Sequence, residues 1–205
     1  MIDKINIVYI DDNCDADISK YMRHEYSKEP FSSDIAIEKI YDEVTFVSSH
    51  GYESLLNNFK VRTANIILID NRLFEEHTAG SGKFSGKQFK LILRKLFPFV
   101  EVLIITQDEE MDGHKIIHKF SGRHGESSDE YYNSYLKPVL NSAIQEVIGF
   151  EELVEELKTS EDVEKTLIEK VLLSLEGEDS FDELKKSDID NLITVFKELK
   201  GRIQS

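Results

Sequence analysis

The sequence predicts an α/β fold, a three-layer, doubly wound parallel sheet of five strands that is followed by an α-helical C-terminal extension. Over residues 1–148, short apolar runs rich in β-branched residues alternate with stretches of helical spacing, a pattern typical of a buried parallel sheet. From residue 149 to 205 only helical spacing continues, without a strand pattern. We therefore divide the chain into a domain of residues 1–148 and a helical extension of residues 149–205.

Four of the predicted strands are short apolar runs that end in a polar residue. The second strand is ambiguous, because the alternating residues 35–39 and the apolar run 44–47 both fit, and we favour 35–39. The four clear runs are 5–10, 66–69, 102–105 and 135–136, and they end at Asp11, Asp70, Thr106 and Lys137.

Helices are predicted between these strands, at residues 15–27, 52–59, 87–96 and 115–120. Pro30 and Pro98 end the first and the third, because proline disfavours helical backbone in the residue before it. Two polar stretches interrupt the pattern. A glycine-rich insertion covers residues 75–86, and a polar loop at residues 121–130 precedes the predicted fifth strand.

The bulk composition argues against several classes of partner. A formal net charge of -15 opposes broad binding to nucleic acids or to anionic membranes. Cys14 is the single cysteine, which suits a reducing compartment. The sequence from Met1 leads directly into the first strand, and no apolar run approaches the ~20 residues that span a bilayer. We expect a cytoplasmic protein that binds neither nucleic acid nor membrane.

The polar residues that end the strands are the main candidates for a functional site. In open parallel sheets, ligands bind at the carboxyl ends of the strands. Asp11, Asp12 and Asp70 would bring three carboxylates to that edge, and Thr106 and Lys137 would add a hydroxyl and an ammonium group. Oxygen ligands suit Mg²⁺, and a carboxylate can act as a nucleophile toward phosphorus. Taken singly, the aspartates could equally be turn or helix-cap residues, and Lys137 a surface lysine.

This ordered set resembles the receiver domain of bacterial two-component response regulators, over about residues 3–148. That family has an acidic pair after its first strand, an acceptor aspartate after the third, threonine or serine after the fourth and Lys-Pro after the fifth. The matching residues here are Asp11-Asp12, Asp70, Thr106 and Lys137-Pro138. The resemblance implies the strand order 2-1-3-4-5.

The resemblance also implies a role for each residue. Asp70 would accept a phosphoryl group, Lys137 would pair with that group, and Thr106 would report it by moving toward it. Mg²⁺ would be the cofactor. Its ligands would be Asp11, Asp12, Asp70 and the backbone carbonyl of Arg72.

Three features depart from the family pattern. The insertion at residues 75–86 follows Asp70 where the family has a short turn and a glycine. Gln107 stands where the family favours a small residue. Ser134, three positions before Lys137, stands where the family often has an aromatic switch residue. These departures affect access to Asp70 and the output of the domain, and they leave the predicted chemical groups intact.

The sequence-based hypothesis is a phosphoprotein of a two-component phosphorelay that is phosphorylated on Asp70 with Mg²⁺. Its partners would be a histidine kinase or phosphotransfer protein and a downstream protein, with a homodimer as a further candidate. It would not be an enzyme beyond self-phosphorylation and dephosphorylation on Asp70. The alternative is a degenerate receiver that acts as a phosphorylation-independent interaction module. A Mg²⁺-dependent phosphohydrolase is a weaker candidate, because Arg72 stands where an Asp-x-Asp pair needs its second carboxylate.

Overall fold

A computed structural model describes residues 3–32, 36–74, 85–113, 115–122 and 125–159, apart from the side chains of residues 48 and 157–159. Within these residues, five parallel strands form one sheet. They are β1 (Lys4–Asp11), β2 (Glu38–Thr45), β3 (Ile66–Asp70), β4 (Glu101–Thr106) and β5 (Ile116–His118). Their order is β2-β1-β3-β4-β5. The predicted α/β class and the strand order 2-1-3-4-5 are therefore confirmed.

Helices cover both faces of the sheet. Asp15 starts the first helix by accepting hydrogen bonds from the backbone N–H groups of Asp17 and Ile18. Ser85 and Gln88 form a capping box at the start of the fourth, which matches the predicted helix 87–96 closely. The helices are α1 (Ala16–Tyr21), which continues as a π-helical turn (Met22–Tyr26), α2 (Glu53–Leu56), α3 (Phe59–Arg62), α4 (Gly86–Leu96) and α5 (Ser128–Thr159).

The core consists of two apolar clusters, one on each side of the sheet. Alternate residues of a strand point to opposite faces, so neighbours such as Val8 and Tyr9 in β1 belong to different clusters. The cluster with α2, α3 and α4 includes Val8, Ile10, Ile67, Ile69, Val102, Ile104, Phe89 and Leu93. The cluster with α1 and α5 includes Ile7, Tyr9, Leu68, Leu103, Ile105, Ile18, Tyr21, Leu136 and Leu140.

The fifth strand of the sheet is not where the sequence predicts it. Residues 116–118, predicted as part of a helix, form β5, and residues 135–136, predicted as a strand, lie inside α5. The buried face of α5 has helical spacing, which overrides the short strand-like pair. That face is made by Tyr132, Leu136, Leu140, Ala143, Ile144 and Val147. Pro138, part of the Lys-Pro pair predicted to follow the fifth strand, stands within the helix.

Two other predictions need smaller corrections. The second strand covers 38–45, so it overlaps both candidate segments and coincides with neither. The predicted helix 52–59 is two separate short helices, α2 and α3, with Asn58 capping the second by accepting from the N–H of Lys60. Helices α2 and α3 have four residues each, and elements this short carry weak periodic signals.

The connection from β4 to β5 has no helix among its described residues, 107–113 and 115. Met111 and Ile116, both partly buried, pack there against the apolar cluster that α4 covers. Helix α5 runs without a break across residues 148 and 149, where the sequence predicts a domain boundary. Most of the predicted extension, residues 160–205, lies outside the described residues. No helix among those described is long and apolar enough to cross a membrane.

Candidate functional site

Strand register brings two of the predicted carboxylates together. In the parallel pair β1–β3, Ile10 is opposite Ile69, so the residues that follow them, Asp11 and Asp70, share the carboxyl edge of the sheet. Both side chains are almost completely buried. Asp12 follows Asp11 and is exposed. Two carboxylates at this edge therefore lie in a protected environment, and the third predicted carboxylate lies in solvent.

Lys119 lies between the two buried carboxylates. It follows β5, which joins the sheet through β4, and its backbone N–H donates to the carbonyl of Thr106 over 2.8 Å. Its ammonium group is 2.8 Å from Asp11 Oδ2 and 2.9 Å from Asp70 Oδ1. The Lys119 side chain is 9% exposed. One cation thus neutralises part of the charge of two buried carboxylates.

Further donors hold each carboxylate in place. The phenol of Tyr9 donates to Asp11 Oδ2, and the backbone N–H of Asn13 donates to Asp11 Oδ1 over 3.1 Å. The backbone N–H of Arg72 donates to Asp70 Oδ2 over 2.7 Å. Both carboxylates are therefore oriented by the chain as well as by Lys119.

The surroundings shift the ionisation of these groups in different directions. Burial raises the pKa of Asp70, and the Lys119 ammonium offsets that rise only in part. Burial also acts on Asp11, but hydrogen bonds from Lys119 and Tyr9 outweigh it and leave the Asp11 pKa below its usual value. For Lys119, burial is outweighed by its two carboxylate partners, which raise its pKa. Lys119 therefore stays charged, and Asp70 is the less favourable of the two carboxylates to ionise.

Thr106 lies at the same edge and is buried. Its hydroxyl accepts a hydrogen bond from the backbone N–H of Asp108 over 3.0 Å. Its carbonyl receives the backbone N–H of Lys119. Thr106 ends β4 as predicted, and the structure brings it beside Lys119 rather than beside Lys137, the lysine that the sequence predicts.

Lys137 is placed elsewhere, which corrects the predicted position of the site lysine. It lies in α5, and its ammonium is 2.5 Å from Glu29 Oε2, in an ion pair whose side chains are 34% and 40% exposed. Lys119 occupies the position after the fifth strand instead. The position three residues earlier is then Ile116, an aliphatic residue, and no longer Ser134. The pair Ile116-Ile117 is the sequence signal for this strand, but Phe120 follows Lys119, so the Lys-Pro signature pointed to the wrong residue.

The chain returns to Asp70 at the far end of the insertion. The backbone N–H of Gly86 donates to the carbonyl of Asn71 over 2.8 Å, and that of Lys87 donates to Asn71 Oδ1 over 3.2 Å. A Cβ atom at Gly86 would overlap the carbonyl oxygen of Asp70, so only glycine fits this close approach without a shift. Helix α4 therefore starts against the end of β3, and residues 75–84 of the insertion lie outside the described residues.

A cleft of about 520 Å³ opens beside Lys119. Its walls come from the end of β5 and the first turns of α5, and they include His118, Tyr131 and Tyr135. Gln107, the residue that departs from the family pattern, also lines it. The volume lies in the range of small-ligand sites. Lys119 therefore lines the cleft and also contacts the carboxylate pair.

The donor set fits Mg²⁺ in chemistry. Across the described ranges, no three His, Cys, Asp or Glu side chains are grouped so as to hold a metal ion. Mg²⁺, however, is commonly bound by one or two carboxylates together with waters and phosphate oxygens. Asp11 and Asp70 supply two converging carboxylates, and Asp12 and the carbonyl of Arg72 are their neighbours in the chain. These residues could hold Mg²⁺ together with water.

No protein-family model matches this chain, and neither a curated protein nor a solved structure is significantly similar to it. The class is therefore defined by the fold, a five-stranded parallel sheet of receiver-like topology.

Proposed function

We propose that the chain is a receiver-type signalling module in which Asp70 accepts a phosphoryl group. The donor would be a histidine kinase, a phosphotransfer protein or a small acyl phosphate. The observation that carries the proposal is the Lys119 ammonium, 2.9 Å from Asp70 and 2.8 Å from Asp11. A nucleophilic carboxylate with a fixed cation beside it is what phosphoryl transfer requires, because the protein contributes mainly position and charge.

In the proposed reaction, a carboxylate oxygen of Asp70 attacks the phosphorus of the donor. The new O–P bond forms as the bond to the donor breaks, and the leaving group takes the electron pair. Lys119 then pairs with an oxygen of the phosphoryl group, and the Thr106 hydroxyl donates to another. Mg²⁺, held by Asp11, Asp70 and Asp12 with the carbonyl of Arg72, would neutralise the remaining phosphoryl charge.

Two observations bear on how a phosphodonor would approach the site and how phosphorylation would change contact with a downstream protein. The cleft beside Lys119 is a candidate docking place for a small donor, because Lys119 lines it and also contacts Asp70. Phosphorylation would draw the Lys119 ammonium toward the new phosphoryl oxygens, and Lys119 is tied to the end of β4 through the Thr106 carbonyl. Contact with a downstream protein would then change at the surface around β5 and α5.

Incubation with acetyl phosphate and Mg²⁺, followed by intact-mass spectrometry, tests the proposal. The wild-type chain should gain the mass of one phosphoryl group in a hydroxylamine-labile form, as expected for an acyl phosphate. Asp70→Asn should abolish the gain. Asp42→Asn is the matched control, because Asp42 is a partly exposed strand residue paired with Lys60, and the variant should leave the gain unchanged. A wild-type chain without a mass gain, or an equal gain in Asp70→Asn, would overturn the proposal.

A degenerate receiver is the second candidate, and the connection between β4 and β5 favours it, because its described residues, 107–113 and 115, include no helix. These residues differ from the alternating pattern that the rest of the described fold follows. As an interaction module, the chain would keep its fold and partner contacts without phosphate. Beryllofluoride with Mg²⁺ separates the two. A receiver should change its amide NMR spectrum around β5 and α5, whereas a degenerate module should give the same spectrum with and without the reagent.

A further inference from the structure

Tyr9 is a buried polar residue directly beneath the candidate site. It lies in β1 two positions before Asp11, on the same face of the strand, and its side chain is fully buried between the sheet, α1 and α5. From sequence alone it is one more apolar-run residue. Its phenol, however, donates to Asp11 Oδ2, the same oxygen that contacts the Lys119 ammonium.

The direction of this hydrogen bond is fixed by a second contact. The backbone N–H of Asp15, at the start of α1, donates to the Tyr9 hydroxyl oxygen over 3.4 Å. A hydroxyl has a single hydrogen to donate, and that hydrogen is therefore directed to Asp11. Tyr9 thus connects the beginning of α1 to the carboxylate that shares Lys119.

The shared oxygen gives Tyr9 an influence on where the ammonium lies. A buried carboxylate needs hydrogen-bond donors, and Asp11 receives them from Tyr9, Lys119 and Asn13. Without the phenol, Asp11 Oδ2 would depend on Lys119 alone among these donors. The ammonium would then be drawn toward Asp11 and away from Asp70.

We propose that Tyr9 is a positioning residue of this site. By donating to Asp11, its hydroxyl keeps the Lys119 ammonium shared between Asp11 and Asp70. The effect on the sharing is a property of the chain itself, and its consequence for phosphorylation rests on the proposed function of Asp70.

The variant Tyr9→Phe tests the proposal, because it removes the hydroxyl and keeps the ring. Tyr21→Phe is the matched control. Tyr21 is equally buried in the same cluster, and its phenol donates to Asn133 Oδ1 over 3.0 Å, away from the site. The first readout is the side-chain ammonium NMR signal of Lys119 in metal-free protein, assigned with Lys119→Arg. We expect the signal to shift or broaden in Tyr9→Phe and to stay unchanged in Tyr21→Phe.

The second readout is the rate of phosphorylation by acetyl phosphate. Loss of a group that orients a ligand of this kind commonly costs about 10–100-fold, so we expect a rate at least roughly tenfold lower in Tyr9→Phe. Tyr21→Phe should react at the wild-type rate. An unchanged Lys119 signal in Tyr9→Phe overturns the proposal, whatever the rates. If Tyr9→Phe changes the Lys119 signal but the wild-type chain is not phosphorylated by acetyl phosphate, the result supports the role of Tyr9 and overturns the proposed function of Asp70.

A measurement on Lys119→Arg covers the case in which Tyr9→Phe does not fold. A phenol proton bonded to a buried carboxylate exchanges slowly and should appear downfield in the proton NMR spectrum. Because Tyr9 and Lys119 share one oxygen, Lys119→Arg should move the Tyr9 hydroxyl signal and leave that of Tyr21 in place. A Tyr9 hydroxyl signal that stays unchanged in Lys119→Arg would contradict the proposed coupling between Tyr9 and Lys119.

Discussion

Two lysines flank β5, and each contacts two carboxylates, one pair at each end of the strand. Lys115, before the strand, is 2.5 Å from Glu101 and 2.7 Å from Glu146. Lys119, after the strand, contacts Asp11 and Asp70 at similar distances. Both lysine side chains are about nine-tenths buried. The composition of the two clusters is thus nearly the same, and their difference lies in where the carboxylates come from.

Lys115 connects the start of β4 to α5, because Glu101 begins that strand and Glu146 lies in the helix. The backbone of Lys115 also has a left-handed conformation, with φ of 68°, that most residues avoid. Lys119 instead joins the ends of β1 and β3, at the edge of the sheet where ligands bind in open α/β folds. A lysine between two carboxylates is therefore no functional signal by itself. Its position at the carboxyl edge, beside a cleft, is what distinguishes Lys119.

The largest expected effect comes from removing each lysine's charge. Lys119→Met leaves two buried carboxylates without their cation, and breaking a buried ion pair costs about 3–5 kcal/mol of unfolding free energy. Lys115→Met leaves one buried carboxylate, because Glu146 is partly exposed and can be hydrated. We expect Lys119→Met at or above the upper end of that range and Lys115→Met at the lower end. Urea denaturation at pH 7 measures both values, and the reverse order would show that the two clusters are misassigned.

Replacing each carboxylate of the Lys119 cluster by an amide should change the unfolding free energy in opposite directions. The pKa of Asp11 is lowered in the folded chain. At pH values above the usual aspartate pKa of 3.8, the ionised Asp11 carboxylate therefore stabilises the fold. Asp11→Asn should cost on the order of 1–3 kcal/mol at pH 7, as for hydrogen bonds to charged groups. The Asp70 pKa is raised, so ionised Asp70 disfavours the fold, and Asp70→Asn should be more stable than the wild type.

The pH dependence of these differences follows from the same shifts. The stabilising contribution of Asp11 is lost as pH falls through its lowered pKa, so the cost of Asp11→Asn should shrink below pH 3.8. The contribution of Asp70 is present below its unfolded pKa and is lost as pH rises through its raised folded pKa. The advantage of Asp70→Asn should therefore be largest at neutral pH and shrink on acidification. Urea titrations across this range measure both, and an Asp70→Asn advantage that grows in acid would refute the assignment.

The smallest effect should come from Lys137. Its ion pair with Glu29 is partly exposed, and such pairs contribute about 0–1 kcal/mol. Lys137→Met should therefore change the unfolding free energy by less than about 1 kcal/mol. A loss comparable with that of Lys119→Met would contradict the assignment of Lys137 to a partly exposed ion pair outside the site.

Much of the fold could be predicted from local sequence, and much of the site could not. Strands β1, β3 and β4 are buried runs rich in β-branched residues, so local sequence predicts where they end, and with that the positions of Asp11, Asp70 and Thr106. Strand β5 has three residues, too few for a periodic signal. Lys137-Pro138 resembles the pair that follows the fifth strand of the family, although both residues lie within α5. Because local sequence does not predict β5, it does not mark Lys119 as the residue that follows the fifth strand.

Tyr9 illustrates a different limit of sequence reasoning. A tyrosine in an apolar run is expected to fill the core, and Tyr9 does so. Its polar function depends on the placement of Asp15 and Lys119, and the hydrogen bond between Asp11 and Lys119 alone spans 108 positions of sequence. Contacts of that range follow from the assembled sheet, and local periodicity does not show them.

The most direct measurement compares phosphorylation of Lys119→Arg and Lys137→Met by acetyl phosphate and Mg²⁺. A bulkier guanidinium cannot occupy the space between Asp11 and Asp70 as an ammonium does, so Lys119→Arg should incorporate phosphate much more slowly than the wild type. Lys137→Met should react at the wild-type rate. Wild-type incorporation in Lys119→Arg together with loss of incorporation in Lys137→Met would contradict the central claim that Lys119 is the cation of this site.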